Sequence, residues 1–270
     1  MKSGSIFSMR NLILRKSFAL IMLLTVVGCG KLGYHVEGNE VFLGIWDGSR
    51  DVQNKLEGAE ADSFKILLSR YFAADKKTVY RRHIPIPGAD AMTFRVINRW
   101  HAVDKNHGYH DGYLIPNSRG EFFESLDSTF SKDDRDAYLA VSSIGACHAP
   151  TYRLLVNFWA KDKECAYSGF DKIDGAHIDS FEGLNRLYAK DKNRVYTALF
   201  RKPEAEEINN LSDAQRDRIK ESYNGSLSWV YVIENADAET FEPLSEIPIY
   251  GRDKNRCYKY DKPFACADIE

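Results

Sequence analysis

Asp104-Lys105-Asn106-His107-Gly108-Tyr109 decides how the chain is read, because its Asp-to-Tyr spacing recurs along the sequence. The same five-residue step joins Asp75 to Tyr80, Asp133 to Tyr138, Asp162 to Tyr167, Asp191 to Tyr196 and Asp253 to Tyr258. The first five aspartates are each 29 residues apart. A constant period marks a repeat architecture and outranks any single residue as evidence of fold.

Outward from each corner, an aromatic lies ten to twelve residues upstream: Phe64, Phe94, Phe123, Tyr152, Phe181 and Phe241. An aliphatic follows three residues later in each copy, as in Leu67, Ile97 and Leu184. Before the aromatic, Ala89-Asp90-Ala91-Met92-Thr93-Phe94 and Ala236-Asp237-Ala238-Glu239-Thr240-Phe241 give the pattern of one capped turn of α- or 3₁₀-helix. Around the corner, Leu187-Tyr188-Ala189-Lys190 and Arg194-Val195-Tyr196 flank Asp191-Lys192-Asn193 as hairpin strands. Asp accepts a backbone hydrogen bond two residues on, and Asn tolerates left-handed dihedrals. The residue before each Tyr is small or apolar (Val79, Gly108, Ala137, Ala166, Val195, Cys257) and faces away from the Tyr on a strand.

The predicted fold is mainly β: tandem hairpin-plus-short-helix units of 29 residues, forming a solenoid-like or propeller-like curved sheet. Trp229-Val230-Tyr231 fits a degraded unit with Ser226 in the Asp position, and Glu40-Val41-Phe42-Leu43 an incomplete first unit. Residues 203–222 read as an insertion, where Ser212-x-x-Gln215 is a capping box for a short helix.

These corners resemble the DKNYY family of bacterial repeat proteins. Asp104-Lys105-Asn106, Asp191-Lys192-Asn193 and Asp253-Lys254-Asn255 match it outright, with Tyr109, Tyr196 and Tyr258 as the aromatic. The resemblance spans about residues 58–260 and implies architecture and bacterial export, but no activity. The copies at Asp75, Asp133 and Asp162 depart from it at the Asn.

The amino terminus carries an address. Lys2, Arg10, Arg15 and Lys16 precede an apolar run, Phe18 to Val27, too short to span a membrane. Val26-Val27-Gly28-Cys29 resembles the lipobox of bacterial lipoproteins. That resemblance implies a cleaved signal peptide, 1–28, acylation of Cys29 with palmitate-type chains, and a lipidated tether, 29–36, before the repeat domain, 37–270. Gly30, where a retention signal would place Asp, resembles an outer-membrane destination in a Gram-negative cell. Cleavage leaves 33 basic against 39 acidic side chains, a mature charge of −6 that gives no footprint for nucleic acid.

Cys147, Cys165, Cys257 and Cys266 then remain, an even number in an exported chain, which allows three pairings. Proximity in sequence favours Cys147–Cys165 and Cys257–Cys266, each stapling a hairpin to its neighbour. A Zn(Cys)₄ site is the alternative, against which stands the lack of a C-x₂-C knuckle.

For chemistry, the richest polar cluster is His101, Asp104, His107, His110 and Asp111. With Lys105-Asn106 as a two-residue turn, His101 faces His110, and a third ligand would make a Zn²⁺ or Ni²⁺ site. A three-residue turn would instead put Tyr109 opposite His101. A Lys follows the corner Asp in five of six copies, which repels Ca²⁺. No Gly-x-Ser-x-Gly, His-Glu-x-x-His, P-loop or Gly-x-Gly-x-x-Gly occurs. The tyrosine row reads as inter-repeat packing, with stacking of sugars or peptides as the functional alternative. The expectation is therefore a lipid-anchored, cofactor-free, non-enzymatic envelope scaffold for a protein or polymer partner. An envelope hydrolase with its site in a divergent repeat, or an inhibitory or immunity-type lipoprotein for one partner, are the alternatives.

Overall fold

The computed structural model describes residues 31–204, 208–209, 213, 216–217, 227–244 and 249–268. The leader, Cys29 and Ser226 lie outside them, as does most of the helix expected over 203–222. The described chain is mainly β, in seven small antiparallel sheets arranged in tandem, with no closed barrel. A three-stranded sheet (Gly33–Glu37, Glu40–Trp46, Asp51–Lys55) comes first. Six four-stranded meanders follow, here units 1 to 6, centred on Asp75, Asp104, Asp133, Asp162, Asp191 and Asp253. In unit 2, for example, the strands are Arg95–Val96, His101–Val103, Gly108–His110 and Tyr113–Leu114.

Strand pairing stops at the edges of each sheet, so neighbouring units meet mainly through side chains, beside a backbone bond from the Gly120 N–H to the Asn106 carbonyl (3.1 Å). Six apolar clusters do the joining, each shared by two consecutive sheets. Phe72, Ala74, Val79 and Ile86 of unit 1 pack on Ala102 and Tyr109 of unit 2, for instance. None of the six joins the first sheet to the last. Each unit is thus too small to have a private core and borrows one from each neighbour.

An aromatic triad repeats at these joints. The ring that opens a unit's second strand, the linker aromatic and the next unit's corner Tyr pack in series. Examples are Phe72–Phe94–Tyr109, Trp159–Phe181–Tyr196 and Tyr188–Phe241–Tyr258, with centroids 5.2–6.2 Å apart. The corner tyrosines are buried, so the row is packing and presents no surface for stacking a ligand. The small residue before each Tyr makes room on the opposite side. A Cβ on Gly108 would lie 2.2 Å from the Phe123 ring.

The expected helical turns appear as short 3₁₀ turns, such as Ala61–Ser63, Ala149–Thr151 and Ile178–Ser180. Three expectations need correction. First, Leu227–Val232 is not a degraded unit: it is the fourth strand of unit 5, paired with Val195–Arg201. Elsewhere the turn between third and fourth strands is two residues long and begins with a left-handed residue (Arg82, Asp111, Ala140, Gly169, Tyr260). In unit 5 the insertion replaces that turn, Ala198 continues the strand, and the hairpin lengthens. Second, Gly33–Glu37 is already a strand, so the tether expected over 29–36 ends by residue 32.

Third, the disulfides are Cys147–Cys165 and Cys257–Cys266, which consumes all four sulfurs, but only the first reaches between units. It ties the segment leaving unit 3 to the corner of unit 4. The second lies within unit 6. Cys257 occupies the position whose equivalents, such as Val79 and Ala166, face the next unit, and its bond lays the Cys266–Asp268 turn over that end.

Candidate functional site

The corner aspartates carry the most complete polar chemistry. In unit 5, Asp191 Oδ1 accepts the backbone N–H groups of Asn193 (2.7 Å) and Arg194 (2.9 Å). Oδ2 accepts the Tyr196 hydroxyl (2.8 Å) and the N–H of His177, fourteen residues upstream (2.8 Å). The same four donors occur in every unit; in unit 2 they come from Asn106, His107, Tyr109 and Asp90. Each carboxylate therefore folds its own turn, anchors its own Tyr and clamps the linker before it.

Burial alone would raise the Asp75, Asp104, Asp162, Asp191 and Asp253 carboxyls, but these donors outweigh it and leave all five below the ordinary range. Burial raises the tyrosines, Tyr80 to about 12, and the adjacent carboxylate adds to it. With its acceptor lobes directed at protein donors, a corner offers a cation little. Only the backbone N–H of the Asn position is used, which is why Lys77, Arg135 and Glu164 make the same turn.

Two further conserved contacts within the array escaped the sequence reading. Thr93 Oγ1, Thr151 Oγ1, Ser180 Oγ and Thr240 Oγ1 accept the N–H of the Lys after the next corner Asp, at 3.0–3.1 Å. The Lys before the corner Asp reaches into the following unit. Lys161 Nζ donates to the carbonyls of Ile178 (2.8 Å) and Phe181 (2.8 Å), and Lys132 does the same to Pro150 and Tyr152 (3.1 Å each). A cation thus meets the carbonyl end of the 3₁₀ turn. The signal was available as Lys132, Lys161 and Lys190 at one repeat position.

Beside the corners of units 2 and 4 the surface opens into two grooves. One, about 390 Å³, is lined by Thr93, Arg95, Val103, Asp104, Lys105 and Glu121. The other, about 310 Å³, is lined by Thr151, Arg153, Lys161, Asp162, Lys163 and Asp179. Every one of these positions in the second is 58 residues, two periods, after its counterpart in the first. In units 3 and 5 the Arg position holds Glu124 or Glu182, which pairs across the strands with Lys132 (3.5 Å) or Lys190 (3.8 Å). Arg153 instead faces Lys161. Burial lowers the Lys161 pKa, and the Arg153 charge lowers it further. Arg153, Lys161 and Lys163 stand against Asp162 and Asp179 in the lining of this groove, which gives it a cationic excess of one. Arg95 and Arg153 make no ion pair among the described residues.

The histidines are only partly brought together. The register pairs His101 with His110, as the two-residue turn requires, while Asp104 and His107 stay at the corner. Asp111 leaves the cluster for Arg81, whose guanidinium it binds. His101 is fully buried and stands where other units place Phe72, Phe130 or Trp159. Its ring packs on Phe123 at 5.9 Å, taking the aromatic's place in the triad. The Ser125 hydroxyl donates to the Asp127 carbonyl (3.0 Å) and so accepts from His101 Nδ1–H (2.8 Å); His101 Nε2 then accepts from His110 Nδ1–H (3.2 Å). Burial and the His110 charge hold the His101 pKa down at about 4. This is a neutral hydrogen-bonded relay inside a joint. Among the described residues no three His, Cys, Asp or Glu side chains converge as metal ligands.

Fold and corner geometry together define a tandem β-meander repeat protein. The model of the DKNYY family matches residues 11–113, so over that span the chain is similar to that family. The match takes in the corners at Asp75 and Asp104; units 3 to 6 repeat the same hydrogen bonds beyond it. No curated protein and no solved structure matches the chain. Among the described residues no helix is long and apolar enough to cross a membrane.

Proposed function

We propose that this repeat module is a lipid-anchored, non-enzymatic scaffold of the bacterial envelope, held by acylated Cys29, that binds anionic groups of a protein or envelope polymer. In a cell with an outer membrane, that membrane is its site. The observation that carries the binding reading is the repeated groove. Arg95 and Arg153 stand free beside equivalent Thr and Lys residues, and in the second groove Arg153 faces Lys161. Like charges held at facing positions cost free energy that an arriving carboxylate or phosphate offsets. Face-to-face sheets lie about 10 Å apart, so grooves two units apart suit an extended ligand with charges about 20 Å apart.

The test is a crosslinking pull-down from intact cells with the lipidated chain and with an Arg95→Glu/Arg153→Glu variant. The charge-reversed variant is expected to lose about tenfold in capture, and wild-type capture to weaken with salt. Equal capture by both proteins sinks the groove assignment, and substrate turnover by the purified chain sinks the scaffold reading in favour of a hydrolase.

A further inference from the structure

The first sheet holds two exposed apolar side chains at the end where the chain enters it. Leu32 is 62 % exposed and Trp46 59 %. Gly33, where the first strand begins, pairs with Gly44, two residues before Trp46, and the Asp47–Arg50 turn follows at the same end. Val36, also exposed, lies toward the opposite end and takes no part.

The chain is fixed by the time it reaches Lys31. The Lys31 carbonyl lies where a Cβ on Gly44 would be, 1.7 Å from that position, and it accepts the Gln53 side-chain N–H at 3.3 Å. Cys29 is two residues earlier. Two residues span at most about 7 Å. An acylated Cys29 is therefore within about 7 Å, Cα to Cα, of a residue docked on the sheet, which leaves no slack for the array to float clear of the bilayer.

From this we infer that the Leu32–Trp46 end of the first sheet seats on the lipid surface, with the Trp46 indole at the headgroup level. The inference rests on the lipid anchor proposed above. Indole rings favour that depth because their apolar body and N–H donor are both satisfied there. Charges at this end are mixed, Arg50 against Asp47 and Asp51, while the Lys31 ammonium pairs with Glu37, so the anchor and not electrostatic attraction holds the surface down. The outer units then project away from the membrane and carry the grooves with them.

The test uses the full lipidated chain in vesicles of phosphatidylcholine with brominated acyl chains, reading flotation and tryptophan fluorescence. Wild type is expected to float and be quenched; a Trp46→Phe variant is expected to float and lose the quench, since Trp159 is buried and Trp100 and Trp229 belong to units 2 and 5. Flotation without quenching, or equal quenching in both proteins, overturns the seating and leaves the anchor standing. If wild type and Cys29→Ser both stay in the aqueous fraction, the anchor reading fails and the seating with it.

Discussion

At the scale of the residue, one carboxylate performs three tasks in each unit, and they differ in what their loss costs. Tyr196→Phe removes one charge-assisted hydrogen bond of 2.8 Å and keeps the ring in its triad. About 1.5–3 kcal/mol is expected. Asp191→Ala strands four donors and is expected to cost more than Tyr196→Phe, with urea denaturation of both variants as the measurement. The corner was legible in the sequence because turn chemistry is local: Asp and its two following N–H groups are neighbours in the chain. The bond from His177 to Asp191 was not, because fourteen residues separate a donor that every residue type except proline possesses. The same reasoning applies to Arg153. Its type was visible, but the Lys161 facing it acquires meaning only when compared with Glu124 and Glu182 at the same repeat position.

At the scale of the element, the joint between units 2 and 3 is distinguished by pH. The His101 pKa is depressed from 6.5 to about 4, so its neutral form is the one the folded state accommodates. Its contribution is complete above about pH 6.5 and is lost as pH falls toward 4, on the order of 3 kcal/mol in all. His110, Asp127, Arg81 and Asp111 are the charged or titratable groups around the pair. The lowered corner carboxyls also lose stability in acid, but only below their ordinary 3.8, so the two windows separate. A His101→Phe variant, which restores the ring used by unit 1, is expected to show a smaller loss between pH 6.5 and 4, the remainder coming from His110, which burial also lowers. Denaturant midpoints across that range, compared between the two proteins, measure it. Sequence showed that these histidines could face each other; it did not show that they fill a core position, since burial there depends on Phe123 arriving from the next unit.

Packing between units sets a second expectation at this scale. Gly108→Val would drive branched carbon into the Phe123 ring and cost about 1–3 kcal/mol, whereas Val79 already fills the equivalent position in unit 1. Thermal unfolding of Gly108→Val against wild type checks the loss.

At the scale of the molecule, periodicity predicted a mainly β tandem array, and the structure bears that out. The division into seven sheets was not legible, because a 29-residue period is equally compatible with edge pairing and face packing. The choice is made by small residues such as Gly108 admitting a neighbour's ring. The two disulfides should separate functionally. Their loops of 18 and 9 residues are worth about 3 and 2.5 kcal/mol by loop closure. Cys257→Ser/Cys266→Ser is expected to expose apolar surface at the end of unit 6 and promote self-association, read by light scattering. Cys147→Ser/Cys165→Ser should weaken the unit 3–4 joint while leaving that end covered.

The corner's reach of about fourteen residues upstream also defines a cassette. Each one opens with the linker that its carboxylate clamps and closes with its fourth strand, so the corner's wiring is internal, while its contacts with neighbours are mostly apolar with a few polar ties such as Lys161 and His101. Such a segment can be copied or excised with its corner intact, provided the cut respects the phase and the polar ties to its neighbours find equivalent partners. The chain is in that sense a ruler with interchangeable divisions. Its length, and so the distance its outer grooves stand from the first sheet, is open to change by gain or loss of whole units while both ends remain as they are.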